Sequence, residues 1–141
     1  MKRVPLFLSV VLAATIPVVA AAQKTRGTGK AIFSSAQASE GEGVYAANCA
    51  MCHGALLDGT LEIPGLKGKF MANWAGRPVG DLYTYVAKAM PQPAPGSLSD
   101  ADNARLVAFL LRENGLPGGS APLPVDRAVL GRIVLASTPP R

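Results

Sequence analysis

The stretch NCAMCHGALLDG, residues 48–59, holds both cysteines of the chain, Cys49 and Cys52, and its only histidine, His53. Confining every thiol and the one imidazole of a 141-residue chain to five consecutive positions marks a single site. At i and i+3 the two sulfurs lie on one face of a helical turn, and His53 follows directly.

Three chemistries use cysteines spaced this way. A Cys-x-x-Cys redox pair needs a strand–helix context within a βαβ unit, and no strand pattern lies nearby. A structural zinc takes four ligands, and Cys49, Cys52 and His53 have no further Cys or His to join them. A catalytic zinc completed by a carboxylate would lack its usual spacing. Cys-x-x-Cys-His is the pattern of covalent haem attachment, in which each thiol adds to one vinyl group and the histidine is carried beneath the iron. The spacing favours this third reading: one haem c, held through Cys49 and Cys52, with His53 as a ligand of the metal.

The first residues agree with export. MKRVPLFLSVVLAATIPVVAAAQ opens with Lys2 and Arg3, continues as an apolar run, and closes on Ala20, Ala21 and Ala22. This is the form of a signal peptide over residues 1–22, cleaved near Ala22, and it predicts a periplasmic location. The alternative is an uncleaved anchor, for which the run is short and holds Pro5 and Pro17. Contact with a membrane is expected only if the segment is retained. Its removal leaves 119 residues and lowers the net charge from +5 to +3. With no Lys/Arg-rich run, nucleic-acid binding is not indicated, although a mild positive charge aids docking to an acidic protein surface.

Twelve prolines and fifteen glycines predict many turns, and so short a chain buries a limited core that a cofactor would staple. Ser39 followed by Glu42 fits a capping box and predicts a helix over 40–50. Leu82, Tyr85, Val86 and Ala89 form an apolar stripe on a helix over 79–89. Ser99 caps a helix over 100–113, with Leu106, Phe109, Leu110 and either Ala101 or Ala108 facing inward, and Asn114-Gly115 stops it. Residues 54–76 read as loop. The expected organisation is a flexible lead-in at 23–38, one all-α domain at 39–115, and an extension at 116–141. That extension could wrap the domain, add a short helix or strand, or serve as a docking arm.

With CAMCHG at 49–54 and MPQPAPGSLSD at 90–100, the chain from 39 to 115 resembles a bacterial class I cytochrome c. The MP…PG.LSD pattern followed by ARLVAFLLRENGLP is similar to cytochrome domains that work with exported quinoprotein dehydrogenases. The resemblance implies three to four helices around one haem. It implies that Gly41 and Tyr45 cross against Leu106 and Phe109. It also implies that Pro64 to Leu66 pack beside His53, with the Pro64 carbonyl accepting its ring N–H. An aromatic at Trp74 is implied near the haem edge, with plain core packing as the other role open to it. Tyr85 is expected in the core, and Arg77 either against a haem propionate or exposed.

The second axial ligand follows partly by subtraction. No second histidine exists, Met1 leaves with the signal, and Met51 lies inside the attachment loop. Met71 and Met90 remain. Met71, between Phe70 and Trp74 on either side, suits core filling. Met90 precedes Pro91, Pro93 and Pro95, and the family places the ligand in such a Met-Pro motif. His53 and Met90 are therefore the expected metal ligands, and a thioether raises the iron potential. The expected function is one-electron transfer and not catalysis, between a dehydrogenase donor and an oxidase or other cytochrome acceptor. A ligand-binding or enzymatic haem protein with an open sixth position is the alternative.

Overall fold

The computed structural model describes residues 30–136, and the signal-peptide expectation for residues 1–22 lies outside them. Among these residues six helices follow in order: α1 (Ser35–Asn48), α2 (Ala50–His53), α3 (Lys69–Ala72), α4 (Val79–Ala89), α5 (Asp100–Glu113) and α6 (Arg127–Leu130). Among the described residues there is no strand, only two isolated bridges, Ser34 with Gly119 and Pro78 with Val134. The fold is all-α, as expected.

α4 and α5 have the predicted bounds, and the start signal of α5 is local. The Ser99 hydroxyl accepts the Asp102 amide at 3.1 Å, and of Ala101 and Ala108 it is Ala108 that is buried. α1 differs. Its N-cap is Ser34, whose hydroxyl accepts from the Gln37 amide at 3.1 Å, while Ser39 sits mid-helix and donates to the Ser35 carbonyl. Phe33 is fully buried just before that cap, so the chain enters the fold earlier than a lead-in ending at 38 would allow. The helix also stops sooner. Cys49 leaves helical geometry at φ −128°, and its carbonyl then accepts the amides of both Cys52 and His53. The attachment motif thereby occupies its own turn, α2.

α1 crosses α5 at Gly41. A Cβ there would collide with the Arg105 carbonyl oxygen and stand 2.9 Å from Phe109 Cβ. Glycine costs about 1 kcal/mol of helix propensity at such a position, which the close approach offsets. One turn on, the Tyr45 and Phe109 rings pack with centroids 5.1 Å apart. At the rim Arg105 pairs with Glu40 at 2.8 Å and Arg112 with Glu42 at 2.9 Å. Exposed pairs of this kind contribute about 0–1 kcal/mol each.

Of the roles open to residues 116–136, the structure gives wrapping, with α6 as a short added helix. Leu123, Leu130 and Leu135 are all buried in the core shared with α1, α4 and α5. The Gln37 side chain bonds the Leu123 backbone both ways, donating at 3.0 Å and accepting at 2.7 Å.

Candidate functional site

One cavity of about 910 Å³ opens between α1, α2, α4, α5 and the 62–74 segment. Cys49, Cys52, His53, Pro64, Leu66, Trp74 and Met90 all line it. These are the seven residues singled out in the sequence, brought together from positions 49 to 90.

Around His53 the wall is built by short-range bonds. The ring Nδ1 lies 2.9 Å from the Pro64 carbonyl oxygen. A carbonyl can only accept, so Nδ1 carries the proton and Nε2 keeps its lone pair for a metal. Gly54, at φ +78°, turns the chain immediately after His53, a conformation that favours glycine. The Tyr45 hydroxyl donates to the Gly54 carbonyl at 2.6 Å, and the Gly59 amide donates to the His53 carbonyl at 2.9 Å. Burial, with the charges of Cys49 and Asp58 adding to it, pushes the Tyr45 hydroxyl up to about 12. Tyr45 is thus a neutral donor at any ordinary pH.

Burial, followed by the neighbouring Cys52, also pushes the Cys49 thiol up to about 11. A dithiol redox centre needs a lowered thiol pKa, so this shift speaks against that reading of the pair.

The far wall comes from other elements. Met90 ends α4, its amide donating to the Val86 carbonyl at 3.0 Å, and Pro91 and Pro93 line the cavity after it. Met71 is 3% exposed in the core and does not line the cavity. Trp74 is buried and also faces the cavity. It packs against Tyr85 with centroids 5.6 Å apart and lies under Arg77 at 4.8 Å, while Arg77 pairs with Asp81 at 3.0 Å.

The expectation that Tyr85 is core is corrected: it lines the cavity, and Tyr83 is the fully buried tyrosine of α4. α4 is covered on a second face by α6, with Arg127 over the Tyr83 ring at 6.0 Å. The Tyr83 hydroxyl meets the Asp100 carbonyl at 3.0 Å and its carboxylate at 2.9 Å.

Sequence reasoning passed over Tyr45 as a hydrogen-bond donor and over Asn114 altogether, beyond its stop role. The Asn114 side chain donates to the Leu66 carbonyl at 2.9 Å and accepts the Gly68 amide at 3.0 Å, tying the 66–68 loop to the end of α5. Only the polar type of Asn114 pointed to it.

The donor set fits a haem. Two thiols stand on one turn, an imidazole with a free Nε2 follows, a thioether comes from another element, and Ile63, Leu66, Leu106 and Leu110 supply apolar lining.

Residues 36–110, more than half of the chain, match the family described as "Cytochrome C oxidase, cbb3-type, subunit III". Over 79 residues, 51% of the chain, it is 32% identical to the thiosulfate dehydrogenase of Stutzerimonas stutzeri (strain A1501), and it spans only 26% of that protein's length. Among solved structures it is similar to the sulfane dehydrogenase SoxCD from Paracoccus pantotrophus, with 25% identity and a TM-score of 0.49 over 89% of this chain and 67% of that one. The matched span takes in the whole attachment turn, the Met90 segment and the α1–α5 crossing that frames them, and the chain belongs to this cytochrome c family, whose members imply a covalent haem c.

Proposed function

We propose that this chain is an exported one-electron carrier, built around a single haem c held by Cys49 and Cys52 with His53 and Met90 as axial ligands. The observation that carries the reading is the convergence of these four side chains on one cavity of about 910 Å³. A haem bound there would supply an iron that gains and loses one electron, at a potential raised by a thioether ligand. The protein's own residues do the rest. The Pro64 carbonyl fixes the His53 ring and its tautomer through the 2.9 Å bond. Met90 offers its sulfur from the end of α4. Leu66, Leu106, Leu110 and Trp74 keep water from the pocket, which together with the axial ligands sets the potential.

Residues 1–22 then act as a signal peptide, and the haem is attached in the periplasm. The donor is a dehydrogenase, and the acceptor is an oxidase or another cytochrome of a respiratory chain. The 32% identity to a protein named as a dehydrogenase supports a donor of this kind, and the mild positive charge suits docking on an acidic surface.

The test is the visible spectrum of the reduced, exported protein before and after carbon monoxide. The wild type is expected to show no change. Met90→Ala is expected to bind carbon monoxide at once and to lower the potential. A Met90→Ala protein with unaltered spectrum and potential would sink the axial assignment and with it the carrier reading.

A further inference from the structure

We propose that the segment around Ile133 and Leu135 positions the Met90 side of the cavity from outside it. This inference rests on the assignment of Met90 as the sixth ligand.

α4 begins without a side-chain cap, because its N-cap residue is Pro78. The Ile133 carbonyl takes that role, accepting the Val79 amide at 2.7 Å. Two more backbone bonds lie beside it, Gly76 amide to Leu135 carbonyl at 3.0 Å and Leu135 amide to Arg77 carbonyl at 2.9 Å. The stretch gripped in this way, 76–79, joins Trp74 to the helix that ends at Met90. One residue further on, Gly80 lies so close to α6 that a Cβ would stand 3.1 Å from the Leu130 carbonyl carbon and the Gly131 amide nitrogen. Leu130 and Leu135 are buried, yet neither lines the cavity. A helix terminus left uncapped frays, and its orphan amides must find partners. Here the partner of the first amide, Val79, comes from the tail, so the pitch of α4, and with it the place of the Met90 sulfur, depends on a segment that lines no part of the pocket.

The tail has a second grip elsewhere. Leu123 is as buried as Leu135, but its backbone is held by Gln37 on α1, away from α4. The two leucines therefore form a matched pair for separating positioning from general support.

Leu135→Ala and Leu123→Ala are made in the full-length, haem-loaded protein, alongside Met90→Ala. Each is measured for thermal unfolding, for carbon monoxide affinity of the reduced form, and for the sulfur-to-iron charge-transfer absorption of the oxidised form. Both leucine variants are expected to lose similar thermal stability. Only Leu135→Ala is expected to weaken the charge-transfer absorption and to tighten carbon monoxide binding about tenfold, since apparent affinity follows the fraction of molecules with the site open. Equal effects from the two variants, or none from Leu135→Ala, would overturn the positioning role while leaving Met90 as ligand. An unchanged Met90→Ala would instead remove the reading beneath it. Should Leu135→Ala not fold, Leu135→Val is read in the same way, with hydrogen exchange of the 76–79 amides reporting whether the grip has loosened.

Discussion

The two walls of the cavity are made in different ways. The His53 wall is fastened mostly to its own neighbourhood: His53 bonds Pro64 eleven positions on, Tyr45 bonds Gly54 nine positions on, and the Leu66 amide bonds the Leu57 carbonyl at 2.8 Å, with Asn114 at the end of α5 as a distant tie. The Met90 wall is fastened to distant chain. Its helix is capped by Ile133, its linker pairs with Leu135, and Tyr83 reaches across 17 positions to Asp100. The first wall closes small loops and loses little entropy in forming. The second draws three of its backbone bonds from the tail, more than fifty positions away. On the proposed reading, a side tied to the haem through Cys49 and Cys52 would face a side whose Met90 sulfur is held by tertiary structure alone, and the second is the side expected to open first.

Removing the thiols tests the first wall most severely. Cys49→Ala with Cys52→Ala is expected to abolish covalent haem entirely, read as loss of haem absorbance from the denatured polypeptide. Haem still bound to that polypeptide would place the attachment outside this turn.

The two walls share one support, the α1–α5 crossing. Gly41→Ala is expected to destabilise the whole protein by about 1–3 kcal/mol, because the new methyl meets the Arg105 backbone, which cannot swing aside as a side chain could. A urea midpoint unchanged from wild type would show that the crossing relaxes freely.

A finer comparison uses the two hydroxyls. Tyr45→Phe and Tyr83→Phe each delete one donor to a backbone carbonyl, at an expected cost of about 1 kcal/mol. Their local effects are expected to part company. Hydrogen exchange quickens at 53–59 in the first variant and at the start of α5 in the second. The same exchange pattern in both would mean that the walls open as one unit.

The same division governs what could be read from the chain. The attachment turn was legible because its chemistry lies within five residues, and α5 because Ser99 and its apolar spacing are local signals. The start of α1 was not, since Ser34 is a cap only because Phe33 is drawn into a core made by distant helices. The stripe on α4 named Tyr85 for the interior, but α6 buries Tyr83 instead, and no periodicity in α4 encodes α6. The grip of Gln37 on Leu123 spans 86 positions and has no sequence signal at all.

The smallest expected effect is alkaline. Burial first, then the hydrogen bond to Asp100 and its charge, push the Tyr83 hydroxyl from 10.0 up to about 12, with Arg127 pulling the other way. A group whose proton is held more tightly in the folded state adds stability that is fully present below its unfolded value. That stability is lost as pH rises through the window from 10 to about 12. Tyr83→Phe removes the titration, so its urea midpoint should fall less steeply than that of the wild type across this window. Tyr45 is pushed up as far, but part of its shift comes from the Cys49 thiolate. With Cys49 tied up as a thioether that charge cannot form, so Tyr45→Phe in the haem-loaded protein should flatten the alkaline limb less than Tyr83→Phe does. Equal flattening would mean that burial and the Asp58 charge hold the Tyr45 proton without Cys49 and that the haem linkage is not felt there.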